Sequence, residues 1–276
     1  MNPQSGQQGR DAGRIGRFAT LGLTALGAFA VLLSTTGEPV RALTMFDREV
    51  TCPIGGQKFT TRAVAIYRQS GMRLDSRPIG SLLAPMPFPV CPDNGFVVYK
   101  NEFSKDEIAA LEPIVLSDAY QQAKREHTDH YMAAFMLERI GHSDRHEIAT
   151  LYLQGSWEAE DGKPSLVDQY RSLSAKSFDA FLKDQDVRSD RWWSATIIGA
   201  DLQRMLGDFG AVERRLGNLP LLDLVSGAIE NGPIMVRVIG QIRQHAKNRN
   251  QAPQTFIDDL SASVQVLLRD DRPVGQ

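Results

Sequence analysis

The spacing of apolar residues changes twice along this chain and divides it into three stretches. Phe18–Leu33 (FATLGLTALGAFAVLL) runs sixteen residues without a charge. Between Lys58 and Phe103 the apolar positions recur near every second residue in short runs. KFTTRAVAIYR (Lys58–Arg68), FPVCP and GFVVYKNEF (Gly95–Phe103) therefore predict extended segments. Arg77–Pro89 interrupts them with Pro78, Pro85, Pro87 and Pro89. Proline withholds ladder donors, so this loop is expected to wrap the strands without pairing in them.

From Ser104 onward the period lengthens to that of helices packed on one face. SKDE at Ser104–Glu107 has the form of a capping box, and Pro113 is expected to end the helix after about two turns. Further helices are predicted over Ser117–Glu126 and Thr128–Ile140, the latter stopped by Gly141. Asp144–Glu160, capped by Ser143, and Ser165–Lys183 follow. Ser189 introduces Asp190–Leu206, and GDFGAVERRLGNLP makes a turn and a shorter helix. Leu221–Glu230, Pro233–Lys247 and Pro253–Arg269 complete the helical reading. Gly199-Ala200, the apolar run to Leu206, Gly207-Asp208-Phe209 and the next helix resemble one tetratricopeptide unit, with Val212 where alanine is expected. One such unit cannot bury its own face, so neighbours must stack on it. No 34-residue identity period recurs.

The first apolar run follows a basic flank (Arg10, Arg14, Arg17) and precedes Val40-Arg41-Ala42. These are the parts of a secretory signal. Sixteen residues of helix span about 24 Å, short of a bilayer's hydrocarbon core. Cleavage after Ala42 and a periplasmic or extracellular location are expected; the alternative is an uncleaved inner-membrane anchor facing the periplasm. The 276 residues carry a formal charge of −2, which excludes an overall basic nucleic-acid binder.

Both cysteines lie in Cys-Pro-x-x-Gly turns, TCPIGG at Thr51–Gly56 and VCPDNG at Val90–Gly95. Each reads as a zinc knuckle, Cys-Pro-x-Cys-Gly, with Gly55 or Asn94 in place of the second thiolate. Together with TCPIGGQKFTTRAVAIYR, Asp75 and PFPVCPDNGFVVYKNEFS, these turns resemble the bacterial domain of unknown function 2225 family over about Val50–Ser104. The matching positions are Cys52, Pro53, Gly56, Phe59, Cys91, Pro92, Gly95 and Phe103. The resemblance implies a mainly α fold: a small zinc-ribbon-like β head followed by a tetratricopeptide-like α-helical domain. The corresponding divisions are 1–42 (signal peptide or N-terminal anchor), 43–103 (degenerate ribbon head), 104–270 (helical, repeat-like) and 271–276 (tail). It transfers no catalytic residue. In a ribbon the two knuckles face each other across the metal, so in an oxidising compartment a Cys52–Cys91 bridge is expected in place of zinc. Two free thiols, or a zinc site completed by Asp75, Asp93 or a distant histidine, are the alternatives.

Four of the five histidines cluster in sequence: His127, His130, His142 and His146. The last two have the four-residue spacing of helix-borne metal ligands. Surface positions at helix ends are the preferred reading, and a metal site or hydrolase built on these four is the alternative. No nucleophile elbow or phosphate-cradling loop is present, so no catalytic residue and no cofactor is assigned. Glu158, Glu160 and Asp161 read as a solvated helix end. Trp192 and Trp193 point about 100° apart on a helix. Both are read as core, the alternative being one in the core and one at a binding groove. Arg214 and Arg215, with Arg237, Arg243, Lys247 and Arg249, make the second half locally basic. A solvated face is the default and an acidic peptide or anionic polymer the sharper alternative. The expected partner is another envelope protein or peptide, with no nucleic acid, and a membrane only if the first segment is uncleaved.

Overall fold

The computed structural model describes residues 44–257, except 67–68, 81–83, 184, 186–188, 227–228 and 230. The expected signal segment, the tail and most of the last expected helix lie outside these residues. Strand β1 (Thr44–Thr51) pairs antiparallel with β2 (Lys58–Ile66), Val50 opposite Phe59 and Thr51 opposite Lys58. The first cysteine turn joins them. Cys52 N–H donates to the Gln57 carbonyl (2.8 Å) and Gly56 N–H to the Cys52 carbonyl (3.2 Å). Gly55 and Gly56 have φ of 87° and 70°, a region that glycine enters without steric cost.

The second turn repeats those hydrogen bonds. Cys91 N–H donates to the Phe96 carbonyl and Gly95 N–H to the Cys91 carbonyl, both at 2.9 Å. A bridge between Val90 and Val97 closes it. Cys52 and Cys91 form a disulfide with their Cα atoms 5.7 Å apart, within the usual range for such a link. Asn94 ties the turns a second time: its Nδ2 donates to the Ile54 carbonyl (3.0 Å), while its Oδ1 accepts from Phe96 N–H (2.9 Å).

Strand β3 (Gln69–Met72) pairs with β4 (Pro78–Gly80). This corrects the expectation that the proline-rich loop stays unpaired throughout. Pro78 opens its strand, where the missing donor is tolerated. Arg73 also bridges Thr255, with Leu74 N–H on the Gln254 carbonyl and Phe256 N–H on the Met72 carbonyl. Pro253–Ile257 is therefore not the start of a helix; backbone pairing with Met72–Leu74 holds it extended.

Nine α-helices follow among the described residues. The capping box at Ser104 opens α1 (Lys105–Val115), which continues through Pro113 and ends two residues later. Proline there removes one helical hydrogen bond near the end, so the helix is longer than expected. Ser117, Thr128 and Ser189 cap α2 (Asp118–Glu126), α3 (Asp129–Arg139) and α6 (Asp190–Met205). Asp144, not Ser143, caps α4 (Arg145–Gly162), its carboxylate accepting from His146 and Glu147 N–H. A 3-10 turn at Pro164–Leu166 leads into α5 (Val167–Lys183). Then come α7 (Phe209–Leu216), a short α8 (Leu221–Val225) and α9 (Gly232–Lys247). Helices α3, α4 and α5 run antiparallel in turn: Glu138 meets Tyr152 where His130 meets Glu158, and Glu160 meets Arg171 where His146 meets Phe181.

One core joins the strands to the helices. Cys52, Ile54, Cys91, Phe96 and Val97 pack with Leu111, Val115, Tyr120, Met132, Met136, Ile148 and Tyr152. Tyr120 Oη donates to the Gly95 carbonyl (2.9 Å) and Gln121 Nε2 to the Asn94 carbonyl (2.8 Å), so α2 grips the second turn directly. A second cluster lies between α4, α5 and α6, and a third gathers α6 to α9 around Trp193.

The disulfide spans 39 positions, and by loop-closure entropy such a link contributes about 4 kcal/mol. Replacing both cysteines with serine is expected to lower the melting temperature by roughly 10 °C for a domain of this size. Circular dichroism of the oxidised wild type and the double variant checks this; equal melting temperatures would contradict it.

Candidate functional site

The four clustered histidines go to four separate places. His127 Nδ1 is 2.8 Å from Tyr170 Oη, and its ring stacks on Tyr131. Burial lowers its pKa. His130 is buried, with Nδ1 3.0 Å from a Glu158 carboxylate oxygen. His142 Nε2 lies 2.8 Å from Glu147. His146 is packed edge-on against Phe178 and Phe181, and burial lowers its pKa, with the Arg191 charge adding to the effect. Two of the four are thus more enclosed than the expected surface positions. Among the described residues no three His, Cys, Asp or Glu side chains are grouped to hold a metal ion.

The acids at the end of α4 are not a solvated run, and this corrects the sequence reading. Glu158 accepts from the backbone N–H groups of Asp129 and His130, closing the first turn of α3. Glu160 is the centre of a cluster. It receives Arg73 (2.6 and 3.0 Å), Arg77 (2.5 Å) and Arg171 (2.7 Å). Asp161, exposed, holds the other side of Arg77 at 2.8 Å. Asp75, weighed above as a zinc ligand, is 1% exposed and binds Arg73 from the opposite side (2.6 and 3.0 Å). It also accepts from Trp157 Nε1 at 2.9 Å. Arg73 therefore lies between two carboxylates, and the Met72–Arg77 segment is clamped to α4 and α5. Asp93 is exposed on its turn.

Trp192, Trp193, Arg214 and Arg215 come together around α6 and α7. Trp193 is fully buried, its indole edge-on to Trp192 with centroids 5.0 Å apart. Trp192 is only half-buried, which corrects the expectation that both are core. It stands at one end of a cleft of about 450 Å³ between α5, α6 and α7. Thr196, Gln203, Arg214 and Arg215 supply the polar wall, Leu182 and Leu219 the apolar one. Arg215 donates through Nε to Gln203 Oε1 (3.0 Å) and through Nη2 to Asp179. Its guanidinium lies on the backbone of α6 at Gly199, where a Cβ would come within 2.7 Å of Nη1. Gly199 is therefore what admits Arg215 to the cleft floor.

Two of the other basic residues are engaged elsewhere. Arg243 is buried and donates to the Leu216 carbonyl, and Arg249 sits over the Phe209 ring at 4.9 Å. A second cavity, about 260 Å³ between Met72–Leu74, α6 and α9, is walled mainly by Met72, Leu74, Ile197, Ile198 and Val238. Its one charged group, Arg73, is already committed to Asp75 and Glu160. No helix among the described residues is long and apolar enough to cross a membrane. No family model matches the chain, and neither a curated protein nor a solved structure matches it.

Burial alone would raise the Glu160 pKa, but the hydrogen bond and charge of Arg73, with Arg171 and Arg77, outweigh it and hold the carboxyl below its ordinary value. A lowered folded pKa stabilises the fold fully above the unfolded value, near 4.5, and the contribution is lost as pH falls through the lower folded one. Glu160→Gln removes the carboxylate shared by three arginines, leaving Arg73 on Asp75, Arg77 on Asp161 and Arg171 on Asp168, and is expected to cost about 2 kcal/mol at neutral pH. In urea unfolding the gap between variant and wild type should narrow below about pH 4.5. A gap independent of pH would contradict the assignment.

Proposed function

We propose that this protein is an exported, non-catalytic docking scaffold of the cell envelope. In this reading the two cysteine turns are degenerate zinc knuckles of the domain of unknown function 2225 type, with a disulfide and Asn94 standing in for the metal. The single observation that carries the reading is the Trp192–Arg214–Arg215 cleft. It is a preformed concavity on stacked helices, with an aromatic group and a cation at its rim, fixed by the Gly199–Arg215 contact. Aromatic and arginine side chains in such positions are the usual anchors of protein contacts.

Several features support the wider proposal. A buried disulfide suits a compartment that oxidises thiols. The amino-terminal apolar run supplies the export signal. The α6–α7 pair turns at Gly207, φ 80°, and α5 and α9 pack against it, which supports the reading of a tetratricopeptide-like unit stacked on its neighbours. The four histidines are engaged separately, by Tyr170, Glu158, Glu147 and a pair of phenylalanines, which disfavours the metal-site or hydrolase alternative.

A photo-crosslinking residue placed at Trp192 in the producing cell tests this. One discrete adduct in the exported fraction is expected, absent when the residue is placed at exposed Lys105 on α1. Equal crosslinking from both positions, or an adduct confined to cytoplasmic material, would contradict it.

A further inference from the structure

The cleft carries a chemical preference beyond its shape. Trp192, Thr196, Gly199 and Gln203 are spaced by four, three and four residues, so they share one face of α6. Along that face two polar groups lack a partner. The Thr196 hydroxyl belongs to a residue 2% exposed, and Arg215 Nη1 to a side chain 9% exposed. Buried polar groups are nearly always hydrogen-bonded; these two atoms are enclosed beneath the cleft surface and make its floor polar. Beside them Arg214 is exposed and makes no ion pair among the described residues. With Asp179 partly offsetting Arg215, the rim holds two cations and one anion. That balance suits a ligand with one negative charge; a phosphate dianion would overshoot it. Trp192, Leu182 and Leu219 provide room for an apolar group next to the charge.

We propose that the cleft binds an extended peptide segment through an Asp or Glu side chain seated at Arg214, with a neighbouring aromatic or aliphatic residue against Trp192. Arginine's planar fork matches a carboxylate, and the half-buried indole offers apolar area at little entropic cost. The inference rests on the docking role proposed above and specifies what docks. Arg214 supplies the discriminating charge. Arg215, held by Gln203 and Asp179 over Gly199, is a positioning group that keeps the floor polar.

The experiment uses the oxidised full-length chain as bait for a phage library of short random segments, followed by fluorescence-polarisation titration of one selected peptide. Binders carrying an acid next to an apolar residue are expected. Changing that acid to its amide should weaken binding about tenfold, as loss of a charged hydrogen bond does. Arg214→Gln should weaken the acidic peptide by a similar factor, and the two changes together should cost little more than either alone. Gly199→Ala, which displaces Arg215, should weaken the same peptide while leaving the chain folded by circular dichroism. Binders without an acid, or losses from the two changes that simply add, would overturn the carboxylate assignment. Displacement of the peptide by inorganic phosphate would do the same. If such binders still crosslink at Trp192, the docking role stands and only the ligand class falls. No enriched binder and no Trp192 adduct would remove both.

Discussion

The Cys52–Cys91 link is the constraint on which the rest of the fold depends. It joins two turns, neither of which belongs to a sheet wider than two strands. Two-stranded pairs are marginal in water unless something packs on them. Here the link lies inside a core that also contains side chains of α1, α2, α3 and α4. Asn94 adds a polar tie between the same turns, and α2 reaches back to the second turn through Tyr120 and Gln121. The small β portion is thus the cap of a helical core as much as a unit of its own.

A second fastening works by charge. Arg73 and Arg77 come from the strand region, Glu160 and Asp161 from the end of α4, and Arg171 from α5. Ion pairs this enclosed give modest net stability but make alternatives costly, since any other arrangement leaves buried charge unpaired. The cluster fixes where Met72–Arg77 crosses the helices. That placement lets Leu74 enter the core of α6 to α9 and lets the Gln254–Phe256 segment pair with it. Head, helical body and the end of the described chain are bound in one sequence of contacts.

The helices were readable because their signals are local. Serine or threonine caps at Ser104, Ser117, Thr128 and Ser189, with the left-handed Gly141, mark their ends independently of packing. Asp144 was missed because Ser143 beside it has the same capping chemistry. The cysteine pairing was legible from two matching Cys-Pro-x-x-Gly turns. Strand β1 was not: its sequence, TMFDREVT, alternates poorly, and Phe46 remains half exposed. The Arg73–Asp75–Glu160 cluster was invisible for a different reason. Glu160 lies more than eighty positions from Arg73 and Asp75, and a run such as Glu158–Asp161 looks solvated until the partner arginines are in place. At the cleft, sequence supplied Trp192, Arg214 and Arg215 as types of residue. Only the fold shows that Gly199 seats Arg215 and that Trp192, read as core, stands half-buried at the cleft.

The central claim is that a covalent link in the β portion and the packing of the first helices form one cooperative unit. Native-state hydrogen exchange with and without reductant tests it most directly. Reduction should lower amide protection in both cysteine turns and also in α1, α2 and α3, with α9 affected far less. Unchanged protection in α1 to α3 after complete reduction would contradict the account.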